Sequence, residues 1–270
     1  MQEALWLTIA VVFVISELVC VACVPERPVA CDEKPGKISD MFKALFKNDQ
    51  AMTVVVSIIL VYTSLNICGN LVLYFFRFDV GNEGAYSIFA AVAFAAQVLV
   101  MMVIPLLRKR FSKSQLFISG FIIQIAGFAV ILIMAFAKLY TPQSWYILCL
   151  PGILIYLGYG MLNVIMTIFL SDSVDYGEVM NGTREESVIF SMQTFTVKLA
   201  SGVAVFLAGL VVDWIHLDTA AAVQTQDTLD ALRMWMTIPS VILLIVGIFV
   251  FKRFYKLDDT RMKEIKSKLN

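Results

Sequence analysis

The sequence predicts an all-α, polytopic membrane protein with about seven transmembrane helices. Of its 270 residues, 60% are hydrophobic and 16% are charged, whereas a soluble domain has about 45–50% apolar and about 25% charged residues. Seven apolar runs reach the length of about 20 residues that a helix needs to cross a bilayer. These runs cover roughly 4–24, 51–76, 86–107, 115–137, 145–170, 188–214 and 234–251.

The basic residues fall mainly on one side of the predicted spans. Seventeen of the 21 lysines and arginines lie in the segments 25–50, 108–114 and 252–268 or at Arg184. Because cytoplasmic loops carry an excess of Lys and Arg, this side, which includes the C-terminus, is predicted to be cytoplasmic. The tryptophans fall at the opposite ends of the spans, where interfacial rings are expected. They are Trp6, Trp145, Trp214 and Trp235.

The predicted organisation has four parts. Residues 1–24 form a first transmembrane helix, and 25–50 form a central cytoplasmic loop that contains three prolines. Within that loop, 38–47 is predicted to form a short amphipathic helix on the membrane surface. Residues 51–254 form a six-helix bundle and 255–270 a cytoplasmic tail.

Seven spans with a cytoplasmic C-terminus place Met1 outside. The first run has no basic flank before it and no small-residue cleavage site, so it is not typical of a signal peptide. The chain is therefore expected to be the later part of a longer protein. The six spans of the bundle could form two three-helix units, 51–137 and 145–254, as in transporters built from inverted repeats.

Lys198 lies in the middle of an apolar run. An ammonium at the bilayer centre costs about 3 kcal/mol on insertion scales, and such residues usually face a bundle interior or a water-filled cavity. Gln193, Thr194 and Val197 lie within about 140° of it on the same helix face. This stripe predicts a lining for a polyhydroxylated ligand. The alternative for its uncharged members is hydrogen bonding between helices.

A second polar constellation follows the fifth run. Asp172 and Asp175 are three residues apart and share a helix face, Arg184 follows them, and Lys113 lies in another cytoplasmic connection. Ion pairs among these residues could close one side of a transporter and break when it opens. The alternative is an ordinary solvated loop whose ion pairs contribute little. Asn66 and Asn70, in the second run, and Gln97, in the third, could line a cavity or bridge helices, and bridging is the expectation.

The sequence offers little for enzymatic chemistry. The single histidine, His216, lies past the end of a span and is expected at the surface. Cys20 and Cys23 have a C-x-x-C spacing, but they end an apolar run and have no second pair. Without a metal-ligand cluster or a nucleophile–base arrangement, neither an enzyme nor a resident cofactor or metal is predicted. A net charge of zero gives no indication of a nucleic-acid partner.

Several segments resemble the glycoside–pentoside–hexuronide:cation symporter family, in particular its melibiose permease type. The resemblance is specific at Asp172–Glu178, Arg184–Ser187 and Ser191–Lys198, and it extends to Phe254–Leu257 in the tail. It implies the major-facilitator fold of twelve helices, of which this chain would form the C-terminal six-helix half and one preceding helix. It also implies alternating-access uptake of a sugar (a glycoside, pentoside or hexuronide) driven by sodium, lithium or protons in the cell (inner) membrane.

The family resemblance also implies roles for individual residues. At one pocket position where melibiose permease-like members have a tryptophan, this chain has Asn163, which favours a smaller, more polar or acidic sugar. The family's cation-binding acids lie in an N-terminal half, which would have to be supplied as a partner. The resemblance places Asn163, Gln193, Thr194, Val197 and Lys198 at substrate positions, and Lys113, Asp172, Asp175 and Arg184 at gating positions.

Two other functions compete with a symporter half. One is a non-transporting remnant or a helper that packs against other membrane proteins. The other is transport of a different solute, such as a non-sugar or a sulfonated molecule.

Overall fold

The structure, a computed structural model, describes residues 2–23, 46–182 and 186–269. Most of the predicted surface helix at 38–47, and Arg184, lie outside the described residues. The first helix, α1, spans Gln2–Cys23 and forms a unit of its own. Its most apolar stretch, Ala10–Cys20, is exposed and shorter than the apolar stretches of the helices that follow.

The second unit is a helical bundle. Within the described residues, six of its helices are long and apolar enough to cross a membrane, which confirms the predicted all-α polytopic fold. The bundle helices are α2 (Asp49–Tyr74), α3 (Ala85–Leu107), α4 (Lys113–Phe136), α5 (Cys149–Asn181), α6 (Glu186–Trp214), α7 (Gln226–Phe254) and α8 (Asp259–Leu269). A π-helical turn, Phe75–Asp79, continues α2, and a 3₁₀ turn, Trp145–Leu148, leads into α5.

Local signals set the helix boundaries. The Asn48 side chain accepts a hydrogen bond from the Ala51 amide at the start of α2. At the start of α4, Ser112 and Gln115 form a capping box that satisfies two otherwise unpaired amides. Gly182 ends α5 with a φ of 74°, a conformation that costs glycine little.

α5 is longer than a membrane span. Its 33 residues extend over about 50 Å, whereas the hydrocarbon core of a bilayer is about 30 Å thick. The helix is therefore longer than the apolar layer, and its polar last turns carry Asp172 and Asp175. Lys113 and α8 lie at the same end of the bundle, which we call the α8 end. We call the opposite end of the bundle the Arg233 end. Trp145, Trp214 and Trp235 share the Arg233 end, and the last two have ring centroids 5.1 Å apart.

The helix contacts have a two-fold pattern. The main contacts join α4 with α5, α2 with α7, α3 with α5, and α2 with α6. Suppose that α2, α3 and α4 are exchanged with α5, α6 and α7, respectively. The α4–α5 contact then becomes the α2–α7 contact, and the α3–α5 contact becomes the α2–α6 contact. The contacts α4–α7 and α2–α5 map onto themselves. This is the arrangement expected of two three-helix repeats.

The α4–α5 crossing depends on glycine. A Cβ atom added at Gly158 would lie 2.5 Å from the backbone oxygen of Gly120, and one at Gly127 would lie 2.7 Å from the Ile155 backbone nitrogen. Small residues let two membrane helices approach this closely, and close packing is a main source of their association. These two helices therefore form a rigid pair.

The predicted tail contains a docked helix. Met262 and Ile265 of α8, with Leu257 just before it, are buried and pack against Tyr176 and Tyr255. α8 thus covers the end of α5 with its apolar face. Its basic residues remain exposed: Arg261, Lys263, Lys266 and Lys268.

Candidate functional site

Two of the predicted gating residues form a buried ion pair at the α8 end. The Lys113 ammonium, on the first residue of α4, donates to the Asp172 carboxylate of α5. Their side chains are only 7% and 6% exposed. Asp259 of α8 lies 3.6 Å from the same ammonium and 3.4 Å from a guanidinium nitrogen of Arg108.

The other predicted gating residues lie differently. Asp175 is 4.0 Å from Lys266, whose side chain is 60% exposed. The Asp175 side chain is only 16% exposed, but its 4.0 Å contact is with an exposed ammonium, and such long, hydrated contacts contribute little to stability. Arg184 lies outside the described residues, so its position relative to Asp172 and Asp175 stays a prediction.

Further polar ties at the α8 end escaped the sequence reasoning. The Asn48 amide donates to the Ser173 carbonyl at 2.8 Å and so joins the start of α2 to α5. The Gln50 side chain accepts a hydrogen bond from the Lys256 amide at 2.8 Å. Burial, and then the Asp172 and Asp259 carboxylates, raise the pKa of the Tyr255 phenol. Its hydroxyl therefore stays protonated beside the ion pair.

The predicted substrate residues lie on a polar face shared by α2, α5 and α6. Asn163 donates to the Tyr62 hydroxyl at 2.5 Å, and the Tyr62 ring meets the edge of Tyr159 at 5.5 Å between centroids. One turn after Asn163, the Thr167 hydroxyl lies 3.5 Å from the Gln193 amide. Asn163 and Gln193 are thus linked through Thr167, and their role in substrate binding stays a prediction.

Lys198 and Thr194 are exposed on the same face of α6, and Val197 is half-buried beside them. Among the described residues, Lys198 has no ion pair or hydrogen bond, and Thr194 donates only to the Phe190 carbonyl of its own helix. Gly202, one turn further on, has nothing within 4 Å of a built Cβ atom. This face is therefore open within the described structure.

Of the two roles expected for the asparagines of α2, cavity lining and helix bridging, their hydrogen bonds do not supply the second. Asn66 donates to the Tyr62 carbonyl and Asn70 to the Asn66 carbonyl, each at 2.7 Å. Both amides satisfy backbone groups of their own helix, so these hydrogen bonds do not bridge helices. His216 is exposed, as predicted.

A buried cluster at the Arg233 end was missed. Arg233 of α7 forms a bidentate pair with Asp79, at 2.8 and 2.5 Å, and a third bond to Asp230 at 2.6 Å. Tyr140 donates to Asp79 at 2.6 Å, and burial together with Asp79 raises the pKa of its phenol. In the sequence, Arg233 lies just before the last apolar run and Asp79 just after the second, on the same predicted side of the spans. That shared side was the sequence signal that could have suggested their pairing.

No group of three or more His, Cys, Asp or Glu side chains that could hold a metal occurs among the described residues. The site is therefore a polar face between helices, with ion pairs at both ends of the bundle. Such a face can donate and accept hydrogen bonds to a polar solute.

Comparison with known proteins gives one family and several relatives. The family model described as "MFS/sugar transport protein" matches residues 3–259. The chain is 25% identical to the uncharacterized symporter YjmB of Bacillus subtilis (strain 168), over 92% of this chain and 52% of that protein. It is 24% identical to the isoprimeverose transporter of Lactiplantibacillus pentosus, over 95% of this chain and 52% of that protein.

A further relative, the putative sulfoquinovose importer of Salmonella typhimurium (strain LT2), is 24% identical over 90% of this chain and 50% of that protein. All three proteins are named for transport. The chain spans about half the length of these relatives.

Proposed function

Because the chain belongs to the MFS/sugar transport protein family, we propose that it forms the C-terminal half of a cation-coupled sugar symporter. In this proposal, α1 corresponds to the helix that precedes the C-terminal half, and α2–α7 form the six-helix half itself. The chain is a multi-pass membrane protein of a transporter family and not an enzyme.

The observation that carries the proposal is the open polar face of α2, α5 and α6. It presents a phenol at Tyr62, amides at Asn163 and Gln193, and hydroxyls at Thr167 and Thr194. Amides and hydroxyls both donate and accept, as the alternating hydroxyl groups of a sugar require. A second half, packed opposite this face, would enclose the sugar between the two.

Lys198 is the charged member of this face. Because an ammonium is costly in the bilayer, a counter-charge must meet it in the assembled transporter. Two sources are possible: a carboxylate of the N-terminal half, or an anionic group on the sugar itself. The first would link Lys198 to the coupling cation (sodium, lithium or a proton), whose ligands we expect mostly on the N-terminal half.

Asn163 bears on the choice of sugar. Its amide is held by the Tyr62 hydroxyl, and it offers hydrogen bonds where an indole would offer a stacking surface. An amide on the same polar face as an ammonium suits a small polar or acidic sugar, such as a hexuronide or a sulfonated sugar. One relative is named as a putative sulfoquinovose importer, which supports including sulfonated sugars in the test.

Alternating access would move this bundle as one body. The Lys113–Asp172 pair joins α4 and α5, which are already held together by the glycine crossing. We propose that this pair positions the α8 end, and that contacts of Asp175 and Arg184 with the other half open and close the cytoplasmic side.

Uptake by the complete transporter that contains this chain tests the proposal. Lys198→Ala should abolish cation-driven accumulation, because the ammonium that organises the cavity is lost. The matched control is Lys256→Ala, which removes an exposed lysine at the α8 end and should leave accumulation unchanged. Both variants are compared at equal membrane abundance.

A competition panel then addresses the sugar. Hexuronides, sulfonated sugars and neutral glycosides are tested as competitors, with sodium, lithium and proton gradients imposed separately. Normal cation-driven accumulation by Lys198→Ala would overturn the assignment of that residue. Absence of uptake with every sugar and gradient, despite normal membrane insertion, would favour a helper or remnant.

A further inference from the structure

A basic cavity lies at the α8 end, away from the polar face. It has a volume of about 480 Å³ and lies between the α3–α4 connection and α8. Its basic lining residues are Arg108, Lys109, Arg110, Lys113, Lys263 and Lys266. One acid, Asp259, also lines it.

The charges in this cavity are not balanced. Lys113 is paired with Asp172, and Arg108 with Asp259. Lys109, Arg110 and Lys263 are exposed and have no ion pair among the described residues. An excess of positive charge in a concave surface favours an anionic occupant. Arginine and lysine together suit phosphate, because the guanidinium can bind two phosphate oxygens at once.

The surroundings favour a lipid over a soluble anion. The cavity begins directly after the last residue of α3, a helix of the membrane-spanning set. In the last turns of that helix, the side chains of Met102 and Leu106 are 71% and 61% exposed. Phe111, which lines the cavity, is 47% exposed. An occupant with a phosphate in the cavity could therefore place its acyl chains against α3.

The position of α8 supports the same occupant. Its apolar residues Met262 and Ile265 are buried against the bundle, so the basic residues Lys263 and Lys266 are left at the cavity. Clusters of basic residues next to a transmembrane helix or on an amphipathic helix attract anionic lipids.

We propose that this cavity binds the phosphate headgroup of an anionic phospholipid whose acyl chains lie along the exposed face of α3. The headgroup contacts Lys109, Arg110 and Lys263, and it lies close to Arg108. Through Arg108 and Asp259, the bound lipid stabilises α8 against the bundle beside the Lys113–Asp172 pair.

Lipid titration of the purified 270-residue chain in detergent, followed by native mass spectrometry, tests the proposal. The ligands are phosphatidylglycerol, phosphatidylcholine, dihexanoyl phosphatidylglycerol and glycerol 3-phosphate. The test variant is Lys109→Gln/Arg110→Gln/Lys263→Gln. The matched control, Lys252→Gln/Arg253→Gln/Lys256→Gln, removes three exposed charges that do not line the cavity.

We expect the native chain to bind long-chain phosphatidylglycerol at least about tenfold more tightly than phosphatidylcholine. The test variant should lose at least about tenfold in that affinity, and the control less than about threefold. Glycerol 3-phosphate and the short-chain lipid should bind more weakly than the long-chain lipid. Melting curves without lipid verify that each variant is folded, and Lys263→Gln alone replaces the triple variant if that variant does not fold.

Three results would overturn the proposal. Equal losses in the test and control variants would indicate general attraction to a negative surface. Equal affinity for glycerol 3-phosphate would indicate a soluble phosphate ligand. Equal affinity for phosphatidylcholine would show that the excess positive charge is not used.

Discussion

The buried cluster at the Arg233 end gives a quantitative prediction. Replacing Arg233 by methionine removes three charge-assisted hydrogen bonds, two to Asp79 and one to Asp230. The Asp79 side chain is only 3% exposed, so its carboxylate would remain buried with Tyr140 as its main donor. Leaving a buried charge without its partner costs about 3–5 kcal/mol.

Asp230, the second partner of Arg233, allows an exposed ion pair to be compared with the buried one. The Asp230 side chain is 37% exposed, so its carboxylate is hydrated when the pair is broken. Asp230→Asn should therefore cost no more than about 1 kcal/mol. Arg233→Met combined with Asp79→Leu should recover much of the loss, because an apolar pair of similar volume often replaces a buried ion pair without cost.

Reversible unfolding in mixed detergent micelles, monitored by circular dichroism, gives the free energies of unfolding of five proteins: the native chain, Arg233→Met, Asp79→Leu, Asp230→Asn and the double variant. The expected order of losses is Arg233→Met, then the double variant, then Asp230→Asn. Similar losses for Arg233→Met and Asp230→Asn would refute the reasoning from burial. A double variant whose loss equals the sum of its single variants would refute the direct coupling of Arg233 and Asp79.

The remaining predictions use the same unfolding measurement. Gly158→Ala should cost about 1–3 kcal/mol, because its Cβ would lie 2.5 Å from a backbone oxygen of α4. Gly202→Ala should be neutral or stabilising, because nothing lies within 4 Å of its added Cβ atom. Equal losses of stability for Gly158→Ala and Gly202→Ala would contradict the close crossing of α4 and α5. Tyr140→Phe should cost about 1.5–3 kcal/mol through the lost hydrogen bond to a carboxylate. Lys113→Met should cost about 3–5 kcal/mol, because it leaves the buried Asp172 carboxylate unpaired, whereas Lys266→Met should cost less than about 1 kcal/mol. A larger loss for Lys266→Met than for Lys113→Met would contradict the buried Lys113–Asp172 pair.

Hydropathy predicted the spans well because each transmembrane helix must satisfy its own backbone hydrogen bonds within one apolar segment. The positions of the bundle helices therefore follow from local composition. The stripe of Gln193, Thr194 and Lys198 was also predictable, since helical periodicity alone places those residues on one face. What periodicity does not give is the neighbour of that face. The contact between Gln193 and Thr167 depends on how α5 lies beside α6.

The misses share one cause, which is contact between residues distant in sequence. Asp79 and Arg233 are 154 residues apart, and only the packing of α2 on α7 joins them. Asn48 reaches Ser173 over 125 residues in the same way. The docking of α8 was missed because its composition is strongly polar. Its two buried apolar residues, Met262 and Ile265, pack against Tyr176 and Tyr255, a surface that its own composition does not reveal.

The two buried ion pairs occupy equivalent places in the two-fold pattern of the bundle. The two three-helix repeats are α2–α4 and α5–α7. Asp79 lies at the end of the first helix of one repeat, and Asp172 lies near the end of the first helix of the other. Their partners, Arg233 and Lys113, lie near the starts of the third helices of the opposite units.

Each of these ion pairs therefore ties helices of the two units together, one at each end of the bundle. A motion that rocks the whole bundle changes neither distance. If the chain works as the proposed symporter half, we expect both pairs to persist throughout its transport cycle, so that the contacts that change involve residues facing the proposed second half. In that proposal the ion pairs keep the bundle rigid, while Lys198 and its polar neighbours meet the second half.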